Sequence, residues 1–421
     1  MEFIADLHVH SRYSQACSHD IDLQSMASAA AQKGVSILGT GDFTHPLWLR
    51  EIKSNLVEEE DGLYSYKHGG AKTRFVLSVE VSNVFDVDGR TRKIHSCILA
   101  ESIDVVEQVN EALSKFGNLG VDGRPTLNMS AAELVEVLHS ISGKIFIFPA
   151  HAWTPFYGAL GSISGFDSIE DAYGDEAMHV HALETGLSSD PPMNWRLSKL
   201  DKYSLVSNSD AHSLANIGRE ANVLEIDAER LSYSEIISAI ESKDSKRFKM
   251  TIEFYPEEGK YHFDGHRNCN VSLSPEESLK YNNICPVCGK KLVIGVMHRV
   301  EDLADRPAGY VPDGAIPYVH AVPLKEVIAY VLKKSKASLG VEKIYEKMVE
   351  KFGSEFGALL KAEIDEIAKV DPEVAKAIEN VRAERVNLIP GYDGVFGIVD
   401  IMGRMERPKH GMQNSLSDFV E

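Results

Sequence analysis

The stretch MEFIADLHVHS, Met1 to Ser11, decides the fold, because an apolar run closes on Asp6-Leu-His8-Val-His10. On a strand, residues i and i+2 point to one face, so the two imidazoles stand together where the run ends and can ligate one ion. Further runs end in the same way. Val35 to Gly39 leads into Asp42 and His45, Phe75 to Val81 carries Glu80, Ile145 to Phe148 leads into His151, and Ser204 to Val206 leads into Asp210 and His212. Ile94 to Ala100 and Val180 to Leu183 bring the runs to seven. Helical stretches lie between them: after the caps Asp20 and Asp22, residues Leu23, Met26, Ala27 and Ala30 repeat at helical spacing up to Gly34. This alternation predicts an α/β domain over residues 1–240 that closes as a barrel of seven or eight strands.

In α/β barrels reactive groups gather at the C-terminal ends of the strands, so five runs ending in His, Asp or Glu predict one polynuclear site at the mouth. A single histidine after a strand is usually structural; the coincidence of five carries the argument. His95 sits near the start of its run and would face the mouth only if that strand ran antiparallel. His179 and His181 open their strand and are expected to be structural. His19, in the loop after the first strand, is either a ligand of a third ion or a solvated residue. Trp153, Phe156 and Tyr157 directly follow His151 and are placed to stack on a nucleobase or to pack as a hydrophobic loop. Trp195 is a poorer candidate for stacking.

The chain has 421 residues, 43% hydrophobic and 25% charged, enough for a large core and more than one domain. No long apolar run appears, and the N-terminus lacks a basic segment followed by an apolar one, which predicts a cytoplasmic protein without a membrane association. Net charge is −19, from 44 basic and 63 acidic residues, the opposite sign to a typical nucleic-acid binder. Residues 243–300 differ, with ten Lys or Arg against seven Asp or Glu. A basic module on an acidic body is expected.

That module holds three of the five cysteines. Cys285-Pro-Val-Cys288-Gly is a zinc knuckle, and His266-Arg-Asn-Cys269 has the same spacing with His in place of the first Cys. His266, Cys269, Cys285 and Cys288 are the expected ligands of one structural Zn²⁺ in a module at 256–310, with His262 competing as the fourth. Arg267, Lys290 and Lys291 flank the knuckles and are expected to meet DNA phosphates. Cys17 and Cys97 are expected to be buried small residues. From Leu324 to about Arg385 the chain reads as helices interrupted at Gly353, Gly357 and Pro372. The region 311–421 is expected to be helical and DNA-contacting, with the loop-like PGYDGVFG (Pro390 to Gly397) and a fraying polar tail.

DLHVHS, GTGDFTH, VE, IHS, PAH and NSDAH occur in the order of the motifs of the PHP (polymerase and histidinol phosphatase) domain family, which the chain resembles. The resemblance implies a distorted seven-stranded barrel with a trinuclear site: His8, His10, Glu80 and Asp210 on one ion, Glu80 bridging to a second with His95 and His151, and His45 and His212 on a third. The usual second motif is Thr-Asp-His, whereas two residues separate Asp42 from His45 here, so either of them is the ligand. HFDGHRNC, CPVCGKKL and VMHRVEDLADRP, followed by a helical region ending in PGYDGVFG, extend the resemblance over nearly the whole chain, to the endonuclease Q subgroup of repair nucleases. This implies incision 5′ to hypoxanthine, uracil, xanthine or an abasic site in DNA, with the zinc module and helices holding the DNA and a sliding clamp or other repair proteins as possible partners. Metal-assisted phosphodiester hydrolysis is the expected chemistry, with two or three ions of Zn²⁺, Mn²⁺ or Mg²⁺ and with Asp210, His212 and His45 nearest the reaction; His45 or His212 would donate a proton to the leaving group. The alternatives are a small-molecule phosphomonoesterase, which leaves residues 256–421 without a purpose, and a non-catalytic DNA or protein adaptor, against which the near-complete ligand set speaks. An amidohydrolase would bridge its metals through a lysine, and no lysine ends these strands.

Overall fold

The computed structural model describes residues 1–69 and 72–403; the polar tail beyond lies outside the described residues. Seven strands form the barrel: β1 (Glu2–Asp6), β2 (Ile37–Gly39), β3 (Arg74–Val87), β4 (Arg90–Ala100), β5 (Phe146–Pro149), β6 (Ala182–Glu184) and β7 (Ser204–Val206). Each falls on one of the seven apolar runs. β1, β2 and β3 are parallel, Ala5 opposite Ile37 and Gly39 opposite Val76. β4 is antiparallel to both β3 and β5, with Glu80 opposite Cys97 and Leu99 opposite Phe146. β6 and β7 are parallel.

The ring closes without full ladders, which is its distortion. Between β5 and β6 the Ala152 N–H donates to the Glu184 carbonyl at 3.0 Å. Between β7 and β1 the Leu7 N–H donates to Asn208 Oδ1 at 2.9 Å, and Val9 bridges Ala211. Ala5, Leu7, Ile37, Val76, Cys97, Leu99, Phe146, Phe148, Ala182 and Val206 belong to one buried cluster that fills the ring. Alternate residues on the same strands pack outward under the helices.

The first helix runs Leu23–Lys33; Asp22 accepts the Ser25 N–H, and Gly34 takes φ +93°, the left-handed cap that the sequence implied. Outside the ring β8 (Ala221–Glu225) and β9 (Phe248–Glu253) continue antiparallel from β1. Tyr318–His320 then adds parallel to β9, so the C-terminal region enters the barrel's own sheet. Its helices Leu324–Leu332, Leu339–Phe352 and Pro372–Arg382 pack on a separate core around Leu324, Val327, Tyr345, Met348, Val374 and Ile378. Gly353 caps the second at φ +82°. PGYDGVFG is more than a loop. Short strands Asn387–Ile389 and Ile398–Asp400 pair on either side of it, and Tyr392 lies fully buried against Gly265, where any Cβ would meet the ring at 2.3 Å. Among the described residues no helix is long and apolar enough to cross a membrane.

Candidate functional site

Side chains carried by five strands meet at the mouth of the ring. The regular part of β1 stops at Asp6, but the chain stays extended through the bridge at Val9, which keeps His8 and His10 on one side. Close packing of the backbone here requires Gly41, φ +63°, whose Cβ would stand 2.3 Å from the Val9 carbonyl oxygen. His8 Nε2 lies 3.5 Å from Glu80 Oε2 and 3.6 Å from Asp210 Oδ1. His10 Nε2 lies 3.2 Å and 3.1 Å from the same two atoms. The other oxygen of Glu80 faces His95 Nδ1 at 2.7 Å and His151 Nε2 at 3.0 Å. Because β4 runs antiparallel to β3, His95, midway along it and opposite Ser82, arrives at the mouth, the condition attached to it above.

Two sets of ligand atoms therefore share Glu80. His8, His10, Glu80 and Asp210 offer atoms within 4.8 Å of one another, and so do Glu80, His95 and His151. His8 Nε2, His10 Nε2 and Asp210 Oδ1 are buried with no hydrogen-bond partner. Three unsatisfied acceptors and donors aimed at one point would be costly in an apoprotein and are what a cation-binding centre leaves behind. Electrostatics agree. Burial alone would raise the Glu80 carboxyl, yet His95, Arg124 and His8 outweigh it and hold it well below the carboxylate range. Asp210 is likewise held down, against burial, by His10 and His8. Asp42, His151 and Asp210 all have positive φ (49°, 31° and 45°), strain of order 1–3 kcal/mol each that tends to mark functional positions.

A second layer sets the imidazoles. Asp42 does not face the centre: Oδ1 is 3.0 Å from His10 Nδ1, and Oδ2 accepts the Ser11 N–H at 2.7 Å and hydroxyls of Ser11 and Ser14. Its oxygens are taken up by these donors, and Asp42 is not among the groups whose ligand atoms converge on Glu80. His45 opens the helix Pro46–Asn55 and stacks on Tyr13 at 4.4 Å, its Nδ1 buried without a partner. His212 stacks on His10 at 4.5 Å and holds its Nδ1 3.0 Å from the Asp210 carbonyl oxygen. Burial lowers the pKa of both. The structure thus brings His8, His10, Glu80, His95, His151 and Asp210 together and leaves His45 and His212 at the rim. His19 is exposed, on a loop whose Ser18 N–H donates to the His212 carbonyl. His179 and His181 stand at the opposite end of β6, beside a cavity that His139 also lines.

Two functional candidates escape a reading of single runs. Glu184, fully buried at the end of β6, accepts from Asn208 Nδ2 at 2.9 Å and from the His151 N–H at 2.7 Å, and lies 3.0 Å from His8 Nδ1. The signal was present, since the sixth run also ends in an acid, one residue beyond Leu183. Arg124 reaches Glu80 Oε2 at 3.0 Å from a loop that Thr126–Leu127 pins beside β3 at Ser82 and Asn83; no local pattern announces it. Cys97 is buried as expected, behind His8.

Of the aromatic residues after His151, Trp153 is fully buried and donates its Nε1–H to Asn194 Oδ1 at 2.8 Å, so it packs the loop and cannot stack on a base. Tyr157 lies against His95, ring centroids 4.4 Å apart, and Phe156 is exposed. Trp195 packs edge-on against Tyr318.

In the cysteine segment the hairpin Asp264–His266 and Val271–Leu273 faces a knuckle in which the Gly289 N–H donates to the Cys285 carbonyl and the Cys285 N–H to the Lys290 carbonyl. His266, Cys269, Cys285 and Cys288 come within 4.8 Å of one another, Cys288 Sγ 3.5 Å from His266 Nδ1, close to the roughly 3.7 Å between ligands of a tetrahedral zinc. His262 is buried outside this group, stacked on Phe263. The segment's own core is small, made of Val271, Leu273, Cys285 and Leu292. Arg267, Lys290 and Lys291 are exposed around it.

Residues 323–385 match the family model described as the MJ0043 C-terminal domain. An uncharacterized protein, MJ0043 of Methanocaldococcus jannaschii, is 33% identical over 255 residues, covering 58% of this chain, and this chain spans 30% of that protein's length. The crystal structure of the lesion-specific endonuclease PfuEndoQ from Pyrococcus furiosus superposes with a TM-score of 0.85 at 30% identity, covering 99% of this chain and 98% of that one. A second endonuclease Q structure, in complex with a 27-mer duplex that carries an abasic lesion at the active site, superposes with a TM-score of 0.83 at 30% identity, over 99% of this chain and 100% of that one. Barrel, cysteine segment and helical region are all shared over that length, and the chain belongs to the endonuclease Q family.

Proposed function

We propose that this protein is a metal-dependent endodeoxyribonuclease of DNA repair, which hydrolyses the phosphodiester on the 5′ side of an abasic site or a deaminated base such as hypoxanthine, uracil or xanthine. The observation that carries this reading is the convergence of the unpartnered His8 Nε2, His10 Nε2 and Asp210 Oδ1 on Glu80 at the barrel mouth, in a chain similar throughout to a lesion-specific endonuclease. His8, His10, Glu80 and Asp210 would hold one divalent ion and Glu80, His95 and His151 a second, with His45 and His212 available to a third. Such ions supply an activated water and neutralise charge building on the phosphate. A set dominated by imidazole and carboxylate suits Zn²⁺ or Mn²⁺ better than Mg²⁺ alone.

The chain's own residues do the rest. Asp42 and Glu184 take the Nδ1 protons of His10 and His8, so that both Nε2 lone pairs face inward. The Arg124 guanidinium, drawn to Glu80, places a permanent cation where a non-bridging phosphate oxygen would enter. His212, with Nδ1–H on the Asp210 carbonyl, presents Nε2 at the rim for proton exchange with the leaving 3′ oxygen. His266, Cys269, Cys285 and Cys288 would close around one structural zinc, leaving it no open position. Flipping a deaminated base costs least because its pairing is already weak.

The test is incision of end-labelled duplexes carrying uracil, hypoxanthine, xanthine or an abasic site, with Mn²⁺ or Mg²⁺, by wild type and Asp210→Ala. Cleavage 5′ to the lesion that chelation stops and the variant lacks is expected. An intact set of duplexes together with hydrolysis of a small phosphomonoester would replace this reading with the phosphatase one.

A further inference from the structure

Beside the mouth, three segments far apart in sequence expose aromatic rings to one another. Phe156, on the loop after His151, meets Tyr261 edge-on at 6.2 Å. Lys260 Nζ lies 5.7 Å from the Tyr261 ring and 5.8 Å from the Phe396 ring, so one cation sits between two aromatic faces. The Gly394 N–H donates to the Lys260 carbonyl at 2.8 Å and holds the PGYDGVFG turn in place. Arg267 Nη1 comes 3.3 Å from where a Cβ of Gly394 would be. Phe156 is 45% exposed and Phe396 58%. Among the described residues neither the Lys260 nor the Arg267 side chain forms an ion pair, although Asp393 accepts the Arg267 backbone N–H.

Large rings left in water and rimmed by unpaired cations are unusual on a chain with net charge −19. Their chemistry, π-faces for bases and cations for phosphates, is that of a single-strand binding surface. Their position selects which bases. Tyr157 packs on His95 at 4.4 Å, so Phe156 starts one residue from a group of the catalytic centre. A strand whose phosphate entered that centre would bring its neighbouring bases over this patch.

We propose that Phe156, Tyr261 and Phe396 form a platform that stacks on DNA bases unpaired beside the scissile phosphate, with Lys260 and Arg267 holding the adjoining phosphates. The proposal rests on the endonuclease reading above and adds to it a surface shared by the barrel, the cysteine segment and the C-terminal turn. Because every base has a π-face, the platform is indifferent to the kind of lesion and works through affinity; the choice of lesion belongs elsewhere.

The experiment uses the full chain with Mn²⁺ and duplexes in which 2-aminopurine flanks or opposes an abasic site or uracil. Wild type should quench or shift 2-aminopurine emission on binding. Phe156→Ala and Phe396→Ala should each raise KM roughly 5- to 150-fold, alike for both lesions, change single-turnover kcat less than about twofold, and lose the fluorescence change. Phe156→Tyr and Phe396→Tyr should restore binding. If wild type cuts these duplexes while the Ala variants match it in KM and fluorescence, the platform is wrong and the endonuclease reading stands. Leucine restoring binding as well as tyrosine would also overturn it, since a merely apolar contact would then suffice. A wild type that cuts no lesion would instead remove the endonuclease reading.

Discussion

Glu184→Gln is the sharpest probe of how the centre is assembled, because Glu184 supports His8 from the side away from Glu80. Its two oxygens receive three converging donors: His8 Nδ1–H at 3.0 Å, the His151 N–H at 2.7 Å and Asn208 Nδ2 at 2.9 Å, all buried. Glutamine keeps the volume, removes the charge and turns one acceptor into an NH₂ donor that must face another donor. Without an anionic acceptor at Nδ1, His8 is free to carry its proton on Nε2, the atom that would bind metal. Loss of such a supporting carboxylate typically weakens metal binding 10- to 100-fold, or ~1.4–2.7 kcal/mol. The assay is incision rate against Mn²⁺ concentration, beside direct Mn²⁺ titration by calorimetry after chelation. The Mn²⁺ midpoint should move up by that factor, and the maximal rate should return to within a few-fold at saturating metal. Circular dichroism would verify the fold, since a buried unmade hydrogen bond itself costs about 1–3 kcal/mol. A folded variant with an unaltered midpoint would show that Glu184 does not orient His8 for an ion, and a rate that metal fails to restore would assign Glu184 to the reaction itself.

Cys288→Ser should lose one tightly held zinc per chain, counted by atomic emission after mild chelation, and should raise protease sensitivity within 256–310 while the barrel stays folded. Burial lifts Glu253 from 4.5 to about 7 and raises Glu220 beside it as well; both then hold extra protons in the folded state. Their stabilising contribution is complete below about pH 4.5 and is lost as pH rises through 7, so Glu253→Gln should gain on the order of 2–3 kcal/mol relative to wild type between pH 5 and pH 8, read as a flatter pH dependence of Tm. Alanine at Arg267, Lys290 and Lys291 together should weaken binding to every duplex without altering lesion choice; if about three of some four to six phosphate contacts go, the log–log salt slope should shrink by about 3.

The sequence alone determined the seven strands, their helical partners and the histidines and acids at their ends, because each of these is local. Apolar runs, Asp22 and Gly34 as caps, and a histidine or acid on a strand or within six residues past its end are fixed by near neighbours in the chain. The His266, Cys269, Cys285, Cys288 quartet was legible for the same reason. Strand direction was not: the period of two along Ile94 to Ala100 reads alike from either end, and only the antiparallel pairing of Ser82 with His95 puts that imidazole at the mouth. Burial of Trp153 depends on Asn194, and the displacement of Asp42 behind His10 on hydroxyls of Ser11 and Ser14. Glu184 and Arg124 gained their roles from partners 176 and 44 residues away. Packing determines which of many buried or polar side chains point inward, and packing is a property of pairs distant in sequence, so only the tertiary structure could separate the groups that converge at the mouth from those that hold them in place.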